Sequence, residues 1–144
     1  MSILSKLFGG VAPKREEAAA SEIPAVISQL RQSATDGNFV VFIFIPPGST
    51  DGEVVNLQYS IDGGVVGFDW VLSGLRNIAD KAKIVELASK LGHRLEERDE
   101  NDCRFLRLTG SSISEFGARI IQDVYNIDPN TKLEIITEGF KWQP

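Results

Sequence analysis

The chain has 144 residues, 42% of them hydrophobic and 24% charged, with a formal net charge of -5 and one cysteine. These values suit one folded domain that buries roughly two-thirds of its unfolded surface, and they exclude a fibrous or mostly disordered chain. The acidic balance opposes a broad nucleic-acid footprint, a lone cysteine cannot close an internal disulfide, and no apolar run approaches the ~18 residues of a membrane-spanning helix.

"MSILSKLFGG" lacks the apolar core and cleavage pattern of a secretory signal, so the expected location is cytoplasmic. Its apolar residues Ile3, Leu4, Leu7 and Phe8 share one side of two short helical turns. Leu4, Leu7 and Phe8 would form a peg against a membrane surface or a partner protein, although so short a segment buries little area and a frayed terminus is the plainer reading. "GGVAPKREEAAA" reads as a charged connector, so residues 1–20 are expected to be a flexible segment and residues 21–144 the single folded domain.

Ser21 can cap a helix that carries Ile23, Val26, Ile27 and Leu30 along one stripe, with Pro24 in its first turn. "FVVFIFI" (39–45) then suits a buried strand. In "EVVNLQYS" (53–60), Val55, Leu57 and Tyr59 alternate with Asn56, Gln58 and Ser60, the pattern of a strand with one wetter face. "DGG" turns the chain into "VVGFDWVL" (65–72). A helix follows with an expected buried stripe of Ile78, Ala82, Val85, Ala88 and Leu91, closed by Gly92. Next come a hairpin over 93–109, a helix opened by Ser112 and Glu115 as a capping box, and a last strand, "LEIIT".

From Val65 onward the order is β-α-β-β-α-β. The expected fold is therefore α+β, a ferredoxin-like (split β-α-β) antiparallel sheet extended by the N-terminal helix and a two-strand meander. Strands 39–45 and 65–72 are apolar on both sides, whereas the two later helices cover only one face. The 21–34 helix, a second copy or a partner protein must cover the other.

"LGHRLEERDENDCRFLRL" (91–108) holds the only histidine and the only cysteine. With Glu100 and Asn101 at the hairpin tip, Leu95 faces Leu106, Glu97 faces Arg104 and Arg98 faces Cys103. His93 and Cys103 then lie on opposite faces, roughly 16 Å apart along the ladder, and cannot share a metal ion. No metal and no cofactor are expected. Arg94, Arg98 and Arg107 share one face and form a candidate interaction patch; contact with nucleic acid through it is disfavoured by the acidic total.

"LSGLRN" (72–77) lies between a strand and a helix, where Ser73, Gly74, Arg76 and Asn77 could hold a small anion. Asp69, mid-strand in an apolar run, is a candidate buried carboxylate beside it, more readily explained as a structural aspartate bonded to a neighbouring strand. The expected function is a non-catalytic protein-binding or regulatory module that acts through a protein partner or self-association. The alternative is a small-anion sensor or enzyme that uses the Ser73–Asn77 loop with Asp69.

Overall fold

The computed structural model describes residues 14–49 and 52–144, so Leu4, Leu7 and Phe8 lie outside the described residues. Its first element is a strand where a flexible connector was expected: β1 (Lys14–Ala19) pairs antiparallel with the last strand, Lys132–Glu138. Then follow a 3-10 turn (Ala20–Glu22), α1 (Ile23–Ser33), β2 (Phe39–Phe44), β3 (Val55–Asp62), β4 (Val65–Val71), α2 (Leu75–Ala79), α3 (Lys81–Lys90), β5 (Glu96–Glu100), β6 (Cys103–Thr109), α4 (Ile113–Arg119) with a π-helical extension (Ile120–Val124), and β7 (Lys132–Glu138).

The protein is α+β, and its described residues form one seven-stranded sheet in the order β1-β7-β2-β3-β4-β6-β5. All its pairs are antiparallel. The β2–β3 hairpin was expected to extend an edge; instead it stands inside the sheet, between β4 and β7. Burial explains the difference. Val40, Phe42, Leu57 and Tyr59 are fully buried, as suits strands in the interior of a sheet. The edges go to β1 (KREEAA) and β5 (EERDE), whose charges oppose pairing with another sheet.

The helices α1, α3 and α4 pack on one face, where Ile23, Leu30, Ile84, Leu87, Ile113 and Phe116 join the strand side chains in one cluster. Thus α1 does not cover the second face. That face carries a separate cluster of Phe39, Val41 and Ile136, with Ile43 partly buried beside it.

The α1 stripe is the expected one, since Ile23, Val26, Ile27 and Leu30 are all buried. Ser21 does not cap it, because the chain enters through the 3-10 turn and the Glu22 carboxylate accepts the Ala19 N–H (2.9 Å). At the other end of the sequence, Trp142 packs into the core, and Gln143 and Gln29 exchange hydrogen bonds that strap the tail to α1.

Under α4 the sheet is lined by edge-to-face aromatics, with Phe68 5.5 Å from Tyr59 and 5.0 Å from Phe116. The Tyr59 hydroxyl donates to the Ile113 carbonyl (2.8 Å), and complete burial holds its pKa far above the ordinary phenol range. Gly117 permits this approach, because a Cβ there would collide with the Tyr59 hydroxyl. Gly117→Ala is expected to lower stability by about 1–3 kcal/mol, the usual cost of overpacking. Thermal unfolding of Gly117→Ala, Tyr59→Phe and the double variant checks this: the double should lose less than the two singles added together.

In the β5–β6 hairpin the expected register moves by two residues. Asn101 and Asp102 form the two-residue turn with φ of 52° and 63°, so Glu100 faces Cys103, Arg98 faces Phe105 and Asp99 faces Arg104. Asn and Asp tolerate the left-handed conformation that such a turn demands at both central positions. An even shift keeps every side chain on its expected face.

The α3 stripe is corrected more substantially. Ile84, Leu87 and Ala88 are the buried residues, while Ile78 is 57% and Val85 44% exposed. Asp80, at the junction of α2 and α3, fixes this rotation. Its carboxylate accepts from the Tyr125 hydroxyl (2.8 Å) and from Arg76 Nε (3.0 Å), and Arg76 lies over the Tyr125 ring. Those bonds turn the Ile84 side of the helix toward the core.

Burial alone would raise the Asp80 pKa, but the Tyr125 hydrogen bond, Arg76 and Lys83 together hold it below the ordinary carboxylate value. A depressed folded-state pKa contributes stability that is present above the unfolded value of about 3.9 and is lost as pH falls through the folded value. Asp80→Asn should therefore cost on the order of 1–3 kcal/mol at pH 7. In urea titrations over a pH series, the gap to the wild type should close in acid below that window.

Candidate functional site

Three places merit attention: a cavity around Asp69, the loop after β4, and the outer side of α2 and α3.

Asp69 and Arg107 are opposed on β4 and β6, and both are almost fully buried, at 1% and 3% exposure. Arg107 Nη1 donates to Asp69 Oδ1 at 2.7 Å and to Ser60 Oγ at 3.0 Å, while Nη2 donates to the Ser60 and Val65 carbonyls. The other Asp69 oxygen accepts from Gln58 Nε2 (3.0 Å) and Ser60 Oγ (2.5 Å). Burial pushes the Asp69 carboxyl up from its ordinary value, and Arg107, Ser60 and Gln58 pull back against that rise. Gly67 makes the arrangement possible, since a Cβ on it would meet the Arg107 guanidinium at 2.5 Å.

This network lines a cavity of about 310 Å3 whose apolar walls include Phe39, Val71 and Phe105. Cys103 also lines it. Burial, and then the nearby carboxylates Asp69, Asp99 and Glu100, raise the thiol pKa. The thiol is therefore a poor nucleophile at neutral pH.

The expected arginine patch does not form. Arg107 is withdrawn into the sheet, because a guanidinium stripped of water needs a carboxylate and carbonyls around it. Arg98 is partly exposed and surrounded by Asp62 (3.1 Å), Glu96 (3.3 Å) and Glu100 (3.8 Å). Arg94 is exposed. His93 stands edge-on to the Phe116 ring at 5.7 Å, on the helix side, whereas Cys103 lines the cavity on the other face. Among the described residues, no group of three His, Cys, Asp or Glu side chains is arranged to hold a metal ion. No described helix is long and apolar enough to cross a membrane.

Ser73, Gly74, Arg76 and Asn77 lie together in and after the loop that leaves β4, but Asp69 is not with them: its cavity has none of the four among its walls. Gly74 takes φ 82° as the helix begins. Asn77 is 1% exposed and works as a staple. Its Oδ1 accepts the Asn56 N–H (3.1 Å), and its Nδ2 donates to the Asn56 (3.0 Å) and Val71 (2.9 Å) carbonyls. Its own carbonyl accepts Trp70 Nε1 (3.0 Å). Arg76 is engaged with Asp80. Asn77 and Arg76 thus direct hydrogen-bonding groups onto the protein itself.

The third place was absent from the expected site residues. Leu75 (69%), Ile78 (57%) and Val85 (44%) are exposed large apolar side chains, and the exposed Ala82 lies between the latter two. The spacing Leu75, Ile78, Ala82, Val85 alternates three and four residues, so these side chains form one row along the two helices. Ile78, Ala82, Val85 and Ser89 line a shallow groove bordered by Lys81, Glu86 and Lys90. Lys81 pairs with Glu97 and Lys90 with Glu86. Periodicity marks this row as apolar but does not say which way it faces, and the expected stripe had placed it in the core.

Compared with protein-family models, with curated proteins and with solved structures, the chain has no match in any of the three.

Proposed function

We propose that this protein is a non-catalytic binding module that docks a protein partner on the outer side of α2 and α3. The observation that carries this reading is the exposed row Leu75, Ile78, Ala82 and Val85, which runs nearly opposite the buried row of Ile84, Leu87 and Ala88. A helix apolar on two sides has one side left for a second surface, and a partner's apolar face with a polar rim matches the paired charges beside the groove. The buried charges support the same reading, because Asp69 and Arg107 are spent on each other.

We also read β4 to β7 as a split β-α-β-β-α-β unit into which the β2–β3 hairpin is inserted. The adjacency of β4, β6 and β5 supports this. A cytoplasmic setting is part of the proposal and fits a chain with a single cysteine.

The test compares the full chain with its Ile78→Asp/Val85→Asp variant as bait in the native extract, with light scattering on each to register self-association. Both sites are exposed, so each substitution should change stability by no more than about 0.5 kcal/mol, and the pair by about 1 kcal/mol. Partner retention, or dimer formation if the partner is a second copy, should fall at least tenfold. Equal retention by a folded variant would remove the groove from the function.

A further inference from the structure

The apolar row on the outer side of α2 and α3 has the pattern of a helix-pairing seam. Leu75, Ile78, Ala82, Val85 and Ser89 follow one another at alternating steps of three and four residues, and all five are exposed. That spacing is the seam of a two-stranded coiled coil, with Leu75, Ala82 and Ser89 at one kind of core position (a) and Ile78 and Val85 at the other (d). Residues that flank such a seam set which partner it accepts and in which direction. Here the flanks differ in sign. Lys81 borders the groove on one side and Glu86 on the other, both within α3. At 100° per residue each stands roughly 70° from the middle of the seam. Lys90 stands behind Glu86, farther from it.

We infer that the partner docked there is a second copy of this chain, with the two α3 helices side by side and parallel about a twofold axis. The inference rests on the docking role proposed for the groove and names its occupant. In a parallel pair the flanking residue at g lies opposite the e residue five positions further along the other helix, and Lys81 and Glu86 have that spacing. Each copy's Lys81 therefore meets the other copy's Glu86, twice over. An antiparallel pair would instead set lysine against lysine and glutamate against glutamate. A surface with a cation on one flank and an anion on the other is complementary to itself under a twofold rotation, which is the requirement of an isologous interface.

The ion pairs already present do not oppose this. Lys81 reaches Glu97 at 3.3 Å and Lys90 reaches Glu86 at 3.2 Å, and all four side chains are exposed at 38% or more. Such surface pairs are weak, and an ammonium with three donors can serve Glu97 and a second carboxylate together. Shape agrees as well. Ile84 and Leu87 face the core on the other side of α3, so the seam is the outer side of its helix, and the small side chains of Ala82 and Ser89 let two helices approach to ~8 Å. The seam engages fewer residues per copy than the ~20–30 of a standard interface, so the dimer is weak and depends on concentration.

Sedimentation equilibrium of the full chain from ~10 μM to ~1 mM tests this, the range in which so small an interface should associate. Lys81→Glu and Glu86→Lys should each weaken dimerisation at least fivefold, because each puts like charges at both symmetric contacts. The double variant Lys81→Glu/Glu86→Lys should dimerise as the wild type does, and an equimolar mixture of the two single variants should form heterodimers. Both positions are exposed, and the far-UV spectra should be unchanged. A wild type that stays monomeric to ~1 mM, single variants that associate as well as the wild type, or a double variant that fails to recover would each overturn the inference. If the wild type stays monomeric while Ile78→Asp/Val85→Asp still loses a protein captured from extract, the groove remains a docking site and only the second copy is refuted.

Discussion

Arg107→Met is expected to lower the unfolding free energy by about 3–5 kcal/mol, the cost of leaving one member of a buried ion pair without its partner. The side chain it removes makes the 2.7 Å contact to Asp69 and holds the Ser60 and Val65 carbonyls. Asp69 would remain 1% exposed with only Gln58 and Ser60 to satisfy it. Burial already raises its pKa, and loss of the guanidinium raises it further. A folded-state pKa above the unfolded one means that the native state binds the proton more tightly. The variant should therefore gain stability as pH falls through that folded value, and its deficit should be smaller at pH 5 than at pH 7. Urea unfolding at the two pH values measures this. Asp69→Leu/Arg107→Met removes both charges and should recover more than half of the loss, because apolar pairs of similar volume replace buried ion pairs well.

Asn77→Ala is expected to cost roughly 2–4 kcal/mol, since three backbone groups lose their partner at once and each unsatisfied buried group costs about 1–3 kcal/mol before relaxation. Those groups are the N–H and carbonyl of Asn56 and the carbonyl of Val71. The staple ties the start of β3 to the end of β4 and holds the backbone carbonyl under Trp70. The loss should appear in purified protein with no ligand added, in equilibrium unfolding followed by tryptophan fluorescence. Asn77→Asp keeps the acceptor for the Asn56 N–H but cannot donate to the two carbonyls, so it should be no better than alanine.

What the sequence disclosed followed from period and turn chemistry. The α1 stripe and the alternation of β3 each repeat one simple pattern within a dozen residues, and β3 buries Leu57 and Tyr59 on the helix side. Pairings set by distant residues were not legible. β1 has four charged residues in six and no β-branched one, so nothing local marks it as a strand; its pairing with β7 does. The α2–α3 segment carries two apolar rows, and the choice between them depends on the bond from Asp80 to Tyr125. Arg107 belongs with Asp69 because β6 adjoins β4, whereas hairpin geometry alone groups it with the arginines of its own hairpin. Asp69 could be singled out as a carboxylate in an apolar run, but its partner could not.

The position of β7 has a consequence for the order in which the molecule comes into being. This final strand lies inside the sheet, joining β1 to β2, so Lys14 has no strand to pair with until Thr137 has been made. The hairpins β2–β3, β3–β4 and β5–β6 close over short loops and can form during synthesis, whereas closing a loop of about 120 residues is slow. At ~5–20 residues per second, β1 and everything before it wait several seconds or more beside a half-built sheet. The charged sequence of β1 keeps that waiting strand soluble, and the sheet is completed only once β7 has been made.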